Sequence, residues 1–215
     1  MNRTLKAIAA IMLVWSLFAG CSNNTYNGHE FVDLGLPSGT LWATCNVGAG
    51  VPEDYGDYFA WGETEPKEIY DCSTYKYCVC NKGQSPKYTA SIVDQLTKYC
   101  INSESGYNGY TDFFTTLQPS DDAATTNWGN GWCIPNVDQW KELFQNTSNK
   151  WTTKNGINGR LFIGRNGNNL FLPAAGVRDS DESYFVGSNG GYWSSSLCNE
   201  YEDEAWGFGF CIGWI

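Results

Sequence analysis

The stretch PNVDQWKELFQNTSN, residues 135–149, decides the fold class because it is the clearest helix signal in the chain. Asn136 is a good helix N-cap, and Gln139 follows it at the spacing of a capping box. Four apolar side chains then recur at helical spacing on one face: Val137, Trp140, Leu143 and Phe144. We therefore expect an amphipathic helix whose apolar face packs against a core.

Turn and strand signals follow this helix. RLFIG and NLFLPAAG flank the turn residues RNGNN (165–169), which predicts a β-hairpin. Asn155-Gly156 and Asn158-Gly159, which lie between the helix and this hairpin, are further turn signals.

Strand patterns also lie near both ends of the chain. EFVDLG (30–35) and TLWATCNVG (40–48) predict two strands joined by an LPSG turn. GYWSSSL (191–197) and AWGFGFCI (205–212) predict two more. The fold class is therefore predicted to be α+β, with two helices in the middle and short antiparallel strands at both ends.

The second predicted helix is SDDAATTNW, residues 120–128. Ser120 can cap it, while Asp121 and Asp122 suit the positive end of a helix dipole. A separate segment, DYFAWGE (57–63), is predicted to be either a third short strand or an aromatic segment inserted into the core.

Residues 1–20 have the layout of a secretory signal, with a basic start and an apolar run too short to span a bilayer comfortably. They lead into LFAGC, which resembles the lipobox of bacterial lipoproteins. That resemblance implies acylation of Cys21, with residues 21–28 as a polar tether and 29–215 as the domain. Ordinary secretion with an unrelated cysteine is the alternative. We expect a lipid-anchored protein of the bacterial cell envelope, in the outer membrane, with its periplasmic or surface orientation left open.

The chain beyond the signal is strongly acidic. Arg3 and Lys6 lie within the signal, so the remainder carries 11 of the 13 basic residues, all 23 acidic ones and a formal charge of −12. Such a surface repels phosphate backbones, which argues against nucleic-acid binding. Only 17% of residues are charged, whereas aromatic residues and glycine are abundant, as is typical of a loop-rich exported domain with a large aromatic core.

Eight cysteines follow Cys21, and an even number in an exported protein favours disulfides. They are Cys45, Cys72, Cys78, Cys80, Cys100, Cys133, Cys198 and Cys211. Sequence alone does not choose the pairing, although Cys78 and Cys80 are too close to bond to each other easily. A zinc site, the rival interpretation, would need C-x-x-C or histidine partners, and the single histidine is far from Cys78 in sequence. We therefore predict no metal and no cofactor.

Six stretches occur together in a characteristic order: FVDLGLPSGTLWATCNVGA, EDYGDYFAWGET, DDAATTNWG, WCIPNVDQWKEL, NLFLPAAG and GGYWSSSL. As an ordered set they resemble the Fibrobacter succinogenes major paralogous domain (FISUMP), a family of exported bacterial proteins. The resemblance covers residues 28–210 and implies a C-type-lectin-like fold. Cys133 occupies a position where the family has an arginine. No stretch matches the family's closing strand, so the resemblance also implies a C-terminally truncated domain.

Catalysis finds little support in the residues. His29 is the single histidine, and it lies just after the tether, where we expect it to be exposed and badly placed as a catalytic base. Asp179, Asp181 and Glu182 offer calcium-type oxygen ligands, but solvated loop charge explains them more simply. Within the lectin-like group, the formylglycine-generating enzyme uses a reactive cysteine pair, whereas Cys198 and Cys211 are expected to form a disulfide. We predict a protein that is not an enzyme.

The C-terminal region is the predicted binding surface. In related variable proteins the C-terminal stretch contacts ligands, and by analogy four residues become candidates here: Asn199, Tyr201, Glu202 and Trp206. We expect Trp193, Phe208 and Phe210 to point into the core instead. The predicted function is to present a lectin-like domain to a protein or glycan ligand. A structural role in the envelope, or a truncated product with little activity, is the alternative.

Overall fold

The computed structural model describes residues 24–80, 95–198 and 204–213. These ranges form an α+β domain, as predicted, with the helices α1 (Ala123–Trp128) and α2 (Val137–Asn146). The strands are β1 (Thr25–Tyr26), β2 (His29–Asp33), β3 (Leu41–Ala43), β4 (Cys78–Val79), β5 (Gln95–Leu96), β6 (Ser148–Lys154), β7 (Ile157–Ile163), β8 (Asn169–Pro173), β9 (Val177–Asp179), β10 (Glu182–Tyr184), β11 (Asn189–Leu197) and β12 (Ala205–Cys211). Neither α1 nor α2, nor any other helix in the described ranges, is long and apolar enough to cross a membrane.

The strands form several small antiparallel sheets. Three-stranded sheets join β1-β2-β3 and β6-β7-β8, while β4–β5, β9–β10 and β11–β12 are separate pairs. Phe31 lies opposite Ala43 in the N-terminal pair, and Leu161 lies opposite Phe171 in the β7–β8 pair. Both hairpins predicted from the sequence are therefore confirmed.

The two predicted Asn-Gly turns have different outcomes. Asn155 and Gly156 form the β6–β7 turn, with φ angles of 49° and 84° that favour Asn and Gly. Asn158 and Gly159 instead lie within β7, so the prediction of a turn there is wrong. Gly159 is needed for close packing, because a Cβ at this position would lie 2.5 Å from the Phe171 ring.

Helix α2 begins as predicted, with a complete capping box. The Asn136 side chain accepts from the Gln139 backbone N–H at 2.9 Å, and the Gln139 side chain accepts from the Asn136 N–H at 2.9 Å. Trp140 and Leu143 are buried, as expected. Phe144 is 44% exposed, so its predicted burial is wrong. The contact face of α2 is centred between Trp140 and Leu143, and Phe144 lies beside it.

Helix α1 begins two residues later than predicted. Residues Pro119–Asp121 form a short 3-10 turn, and the N-cap is Asp122, whose carboxylate accepts from the Thr125 N–H at 2.9 Å. The prediction that Ser120 caps the helix is therefore wrong. A carboxylate at the cap satisfies one of the free N–H groups of the first helical turn.

The core consists of two clusters of buried side chains. The larger one contains Leu34, Leu36, Trp42, Trp140, Leu143, Phe162, Leu170, Leu172 and Phe210. The smaller one contains Trp61, Tyr77, Tyr99, Leu117 and Leu197. Residues 57–63 form no strand, but Trp61 is buried in the smaller cluster, so the second of the two predictions for this segment is confirmed.

One disulfide, Cys72–Cys80, joins cysteines of the described ranges. The expected bond between Cys198 and Cys211 is wrong, since neither cysteine lies in a disulfide. Cys211 pairs with Asn189 at the far end of the β11–β12 ladder, whereas Cys198 follows the last residue of β11. The two positions are therefore roughly 25 Å apart along the strand, much farther than a disulfide can reach.

The carboxylate of Asp121 is buried at the edge of the smaller cluster, with 3% of the residue exposed. Tyr77 and Tyr99 each donate a hydroxyl hydrogen bond to it at 2.6 Å, and Lys98 forms an ion pair with it. Burial alone would raise the pKa of Asp121, but the hydrogen bonds from Lys98, Tyr77 and Tyr99 outweigh that effect and lower it to about 2. Asp121 therefore joins Tyr77 and Tyr99 of the smaller cluster to Lys98 rather than serving the helix end, as the sequence had suggested.

Replacing Asp121 with Asn should lower the free energy of unfolding by about 2 kcal/mol at pH 7, because the lysine and both tyrosines lose a charged partner. The folded pKa of about 2 lies below the ordinary value of 3.8. The stabilisation is therefore present above pH 4 and is lost as the pH falls towards 2. Denaturant titrations at several pH values should show the two proteins converging in acid.

Asp138→Asn is the matched control, because the Asp138 side chain is 87% exposed. It should change stability by less than about 1 kcal/mol. Two outcomes would contradict the stabilising role of the Asp121 carboxylate. One is an equal loss of unfolding free energy from both substitutions, and the other is a difference in stability between Asp121→Asn and wild type that persists at pH 2.

Candidate functional site

The predicted ligand-binding residues fall in different parts of the chain. Asn199, Tyr201 and Glu202 lie outside the described residues, as does the proposed lipidation site, Cys21. Trp206 lies in β12 and is 37% exposed. A cleft lies next to it, beginning at its neighbour Gly207.

The β11–β12 hairpin has two different faces. Tyr192 lies opposite Phe208, and Gly190 lies opposite Phe210, on the face that packs against the larger core cluster. The Phe208 ring stacks on Trp140 with centroids 4.6 Å apart. Phe208 and Phe210 thus face the core as expected.

Trp193 was expected on that inner face, but 43% of it is exposed. Because side chains alternate along a strand, Tyr192 takes the inward position and Trp193 points to the opposite side. There it lies across from Gly207, while Gly191 lies across from Gly209. Around Trp193, Gly207 and Gly209 the outer face of the hairpin is therefore nearly flat backbone with one indole ring, while Val177 of β9 packs over Gly191.

This outer face forms part of a cleft of about 840 Å³. We call it the aromatic cleft. Its walls come from β3 and the loop after it, from residues 55–59, from the loop before α2, and from β9. The cleft is lined by Tyr58, Phe59, Arg178 and Trp193, and it also reaches Trp42 and Trp140, which are each 6% exposed and belong to the larger core cluster. Clefts of this size, mostly apolar with a few polar groups, are typical ligand sites.

Hydrogen bonds to backbone carbonyls fix the aromatic walls. The Trp193 indole N–H donates to Phe59 O at 2.9 Å. The Tyr58 hydroxyl donates to Ala175 O at 2.5 Å, and the Tyr70 hydroxyl donates to Tyr58 O at 2.6 Å. These bonds hold the rings in place before any ligand arrives, which reduces the ordering cost of binding.

Tyr192 connects the inner face of the hairpin to two other segments. Its hydroxyl donates to Pro173 O at 2.7 Å and accepts from the Asn46 side-chain amide at 3.5 Å. Burial raises the pKa of Tyr192 well above its ordinary value. Tyr192 therefore positions the strand that carries the cleft floor against β8 and the loop after β3.

Two buried side-chain N–H groups within the described ranges have no hydrogen-bond acceptor, and both belong to residues of the aromatic cleft. They are Trp42 Nε1 and Arg178 Nε. Arg178 is otherwise well held, because its Nη2 donates to Glu68 O at 3.0 Å and its guanidinium lies 5.1 Å from the Tyr70 ring centre. A buried donor without a partner costs about 1–3 kcal/mol, so the cleft walls carry unused hydrogen-bonding capacity.

The thiols in the cleft have no features of an activated nucleophile. Burial raises the pKa of Cys45, and partial desolvation of the sulfur together with the Asp122 charge raises that of Cys133, although the residue as a whole is exposed. Both thiols therefore stay protonated near neutral pH. His29 was expected to be exposed, but it is half-buried and stacks on Trp128 with ring centroids 4.3 Å apart. A histidine held in such a stack serves packing.

The acidic group considered for calcium forms a small hairpin. Asp179 and Glu182 lie opposite each other in β9–β10. In residues 24–80, 95–198 and 204–213, no group of carboxylates has the convergence of a metal site. This hairpin thus offers no support for calcium binding.

The residues that sequence reasoning missed are the glycines of the cleft floor: Gly191, Gly207 and Gly209. Their signal is present in GGYW and WGFGF, where glycine alternates with aromatic residues. In a strand, this alternation gives one aromatic face and one face without side chains. Trp193 was noticed but assigned to the wrong face.

Comparison with protein-family models, with curated proteins and with solved structures found no match to this chain.

Replacing Tyr192 with Phe should reduce the free energy of unfolding by about 1–2 kcal/mol, because Pro173 O and the Asn46 amide lose a buried partner. Since the pKa of Tyr192 is raised in the folded state, its proton stabilises the fold below pH 10, and this contribution is lost as the pH rises further. The variant should therefore show a shallower loss of stability above pH 10 in denaturant titrations. Tyr107→Phe, at a site 42% exposed, is the control and should change neither quantity; equal effects would contradict the role of Tyr192.

Proposed function

We propose that this chain is an exported, lipid-anchored protein of the bacterial cell envelope that binds an external ligand in the aromatic cleft. The ligand is a neutral glycan or a protein segment. The observation that carries the proposal is the preformed cleft, in which Trp193 stands beside a floor of glycine backbone. Stacking on an indole ring over a flat strand surface without side chains suits sugar rings and extended peptides alike.

Charge narrows the ligand class. The chain beyond the signal has a formal charge of −12, which disfavours nucleic acids and other polyanions. Arg178 is the basic residue of the cleft, and Glu68 O and Asp181 O already accept hydrogen bonds from its guanidinium. A neutral ligand rich in hydrogen-bond acceptors fits this environment better than an anion.

We further propose that the domain has a C-type-lectin-like fold of the FISUMP type. The support is the ordered set of six sequence stretches, together with an arrangement in which the N-terminal β2–β3 hairpin meets the C-terminal β11–β12 hairpin. The ring centroids of Trp42 in β3 and Trp140 are 4.9 Å apart, and Trp140 in turn stacks on Phe208 of β12. Tyr192 also reaches Asn46 in the loop after β3.

The anchoring part of the proposal depends on Cys21. In a bacterial host, labelled fatty acid should be incorporated into the full chain and lost in Cys21→Ala, while Cys133→Ala keeps the label. Retention of the label in Cys21→Ala would overturn lipidation without affecting the cleft.

The binding part is tested with the full chain in detergent on an array of neutral and charged glycans and extracellular proteins. We expect saturable binding to neutral members and none to polyanions. Silence across the array from a sample with folded-state circular dichroism would contradict the proposal. Crosslinking in cells that recovers only envelope proteins would favour a structural role instead.

Gly207→Val should separate binding from folding. A Cβ at position 207 would meet nothing closer than Tyr192 O at 3.4 Å, so the strand can accept a branched side chain. Valine also suits a strand better than glycine does, by up to about 1 kcal/mol. We therefore expect unchanged or slightly higher stability, with affinity for the array ligand reduced at least about tenfold.

Gly213→Val is the matched control, because the space around Gly213 is open and the residue lies outside the cleft. It should leave both affinity and stability unchanged. Undiminished ligand affinity in Gly207→Val would show that the cleft floor is not the binding surface.

A further inference from the structure

A cluster of three cysteines lies beside a second cavity, which shares Phe59, Tyr70, Arg178 and Trp193 with the aromatic cleft. The sulfur atoms of Cys72, Cys78 and Cys80 all lie within 4.8 Å of one another, and Cys72 Sγ is 2.8 Å from Cys78 Sγ. In the described ranges this is the one group of cysteine, histidine and acidic side chains that converges in this way. The proposed binding function uses none of the three.

Local structure brings the sulfurs together. Cys78 lies in β4, where it pairs with Leu96 of β5, and Cys80 follows two positions later. Side chains two apart on an extended segment point the same way, so the C-x-C spacing places both sulfurs on one face. Two successive turns then return Cys72 to them: Tyr75 N–H donates to Cys72 O at 3.2 Å, and Cys78 N–H donates to Tyr75 O at 3.4 Å.

The sequence did not predict a metal site here, because these cysteines form no C-x-x-C pair and the single histidine is far from Cys78 in sequence. The actual pattern is C-x5-C-x-C, in which the third ligand comes from a turn. Thiolates bound to one ion at about 2.3 Å lie about 4 Å apart, which is within the span of these three sulfurs. An all-sulfur donor set selects soft cations such as zinc and copper(I) over calcium or magnesium.

The surroundings leave one side of the cluster accessible. Cys72 and Cys78 line a cavity of about 880 Å³, which is also lined by Lys67, Lys98 and Tyr70. Three protein ligands leave a tetrahedral ion with one further position, and this cavity has room for a water or a small ligand there.

We propose that Cys72, Cys78 and Cys80 form a three-thiolate site for one thiophilic cation of the zinc or copper(I) class. The Cys72–Cys80 disulfide and the metal-bound form are alternative states of the same sulfurs. Conversion requires a dithiol reductant, which supplies two electrons and two protons to the disulfide and is itself oxidised to a disulfide. Binding of the cation then releases the three thiol protons to solvent.

The test uses the full chain in detergent, reduced with a dithiol, freed of the reductant without oxygen, and loaded with Zn²⁺, Cu⁺ or Co²⁺. Native mass spectrometry should find one firmly held ion, and Co²⁺ should produce the near-ultraviolet charge-transfer bands of thiolate ligation. Oxidised protein should hold no ion at this site. Competition between Zn²⁺ and Cu⁺ for the reduced protein identifies the preferred cation.

Cysteine labelling gives a readout that requires no substitution. With the cation bound, alkylation of Cys72, Cys78 and Cys80 should slow at least about tenfold, while Cys133, which is exposed, reacts at an unchanged rate. Peptide mapping locates each label. Labelling at equal rates with and without every cation would overturn the proposal and leave the cluster as a disulfide only.

Single cysteine substitutions test whether Cys78 is a ligand. Cys78→Ser should weaken the affinity for the preferred cation at least about 100-fold, since loss of a direct ligand costs more than loss of an outer-shell partner. Cys133→Ser should keep wild-type affinity. A Cys78→Ser protein that still binds the cation with wild-type affinity would contradict the proposal, whereas the outcome of the ligand array does not bear on it.

Discussion

The pairing register of β11 with β12 is the constraint on which the rest of the structure depends. It places Tyr192, Phe208 and Phe210 on one face, where they complete the larger core, and it leaves Gly191, Trp193, Gly207 and Gly209 on the other. A shift by one residue would expose the aromatic rings and bury the glycines. The same register therefore determines both the stability of the domain and the shape of the aromatic cleft.

Buried polar contacts hold this hairpin and its neighbours in place. The Tyr192 hydroxyl joins the hairpin to β8 and to the loop after β3. Trp61 Nε1, in the smaller cluster, donates to Ser194 O at 2.7 Å, and Leu117 N–H donates to Ser195 O at 2.9 Å. Contacts of this kind define a single arrangement because each buried polar group needs its partner. They connect the two core clusters through β11.

Local signals in the sequence were sufficient for elements whose stabilising contacts are close in the chain. The capping box of α2 and the Asn155-Gly156 turn depend on neighbours within four residues, and both were predicted correctly. Errors arose where distant contacts decide. Trp193 and Phe144 belong to patterns that permit burial, but the packing of other elements selected different side chains. Cys72 approaches Cys78 through two turns, and these turns cannot be predicted from the periodicity of a helix or a strand. The alternation of glycine with aromatic residues is present in the sequence. Which of the two faces lies against the core, and therefore where the glycine floor lies, depends on the packing of distant elements.

The central claim is that the outer face of this hairpin receives the ligand. Its most direct test is an NMR titration of the ¹⁵N-labelled full chain in detergent with an enzymatic digest of neutral polysaccharides. The account predicts that the Trp193 indole signal and the Gly207 and Gly209 amide signals shift together and saturate, while the indoles of Trp61 and Trp151 stay in place. Binding that shifts other regions and leaves Trp193, Gly207 and Gly209 unchanged would contradict it.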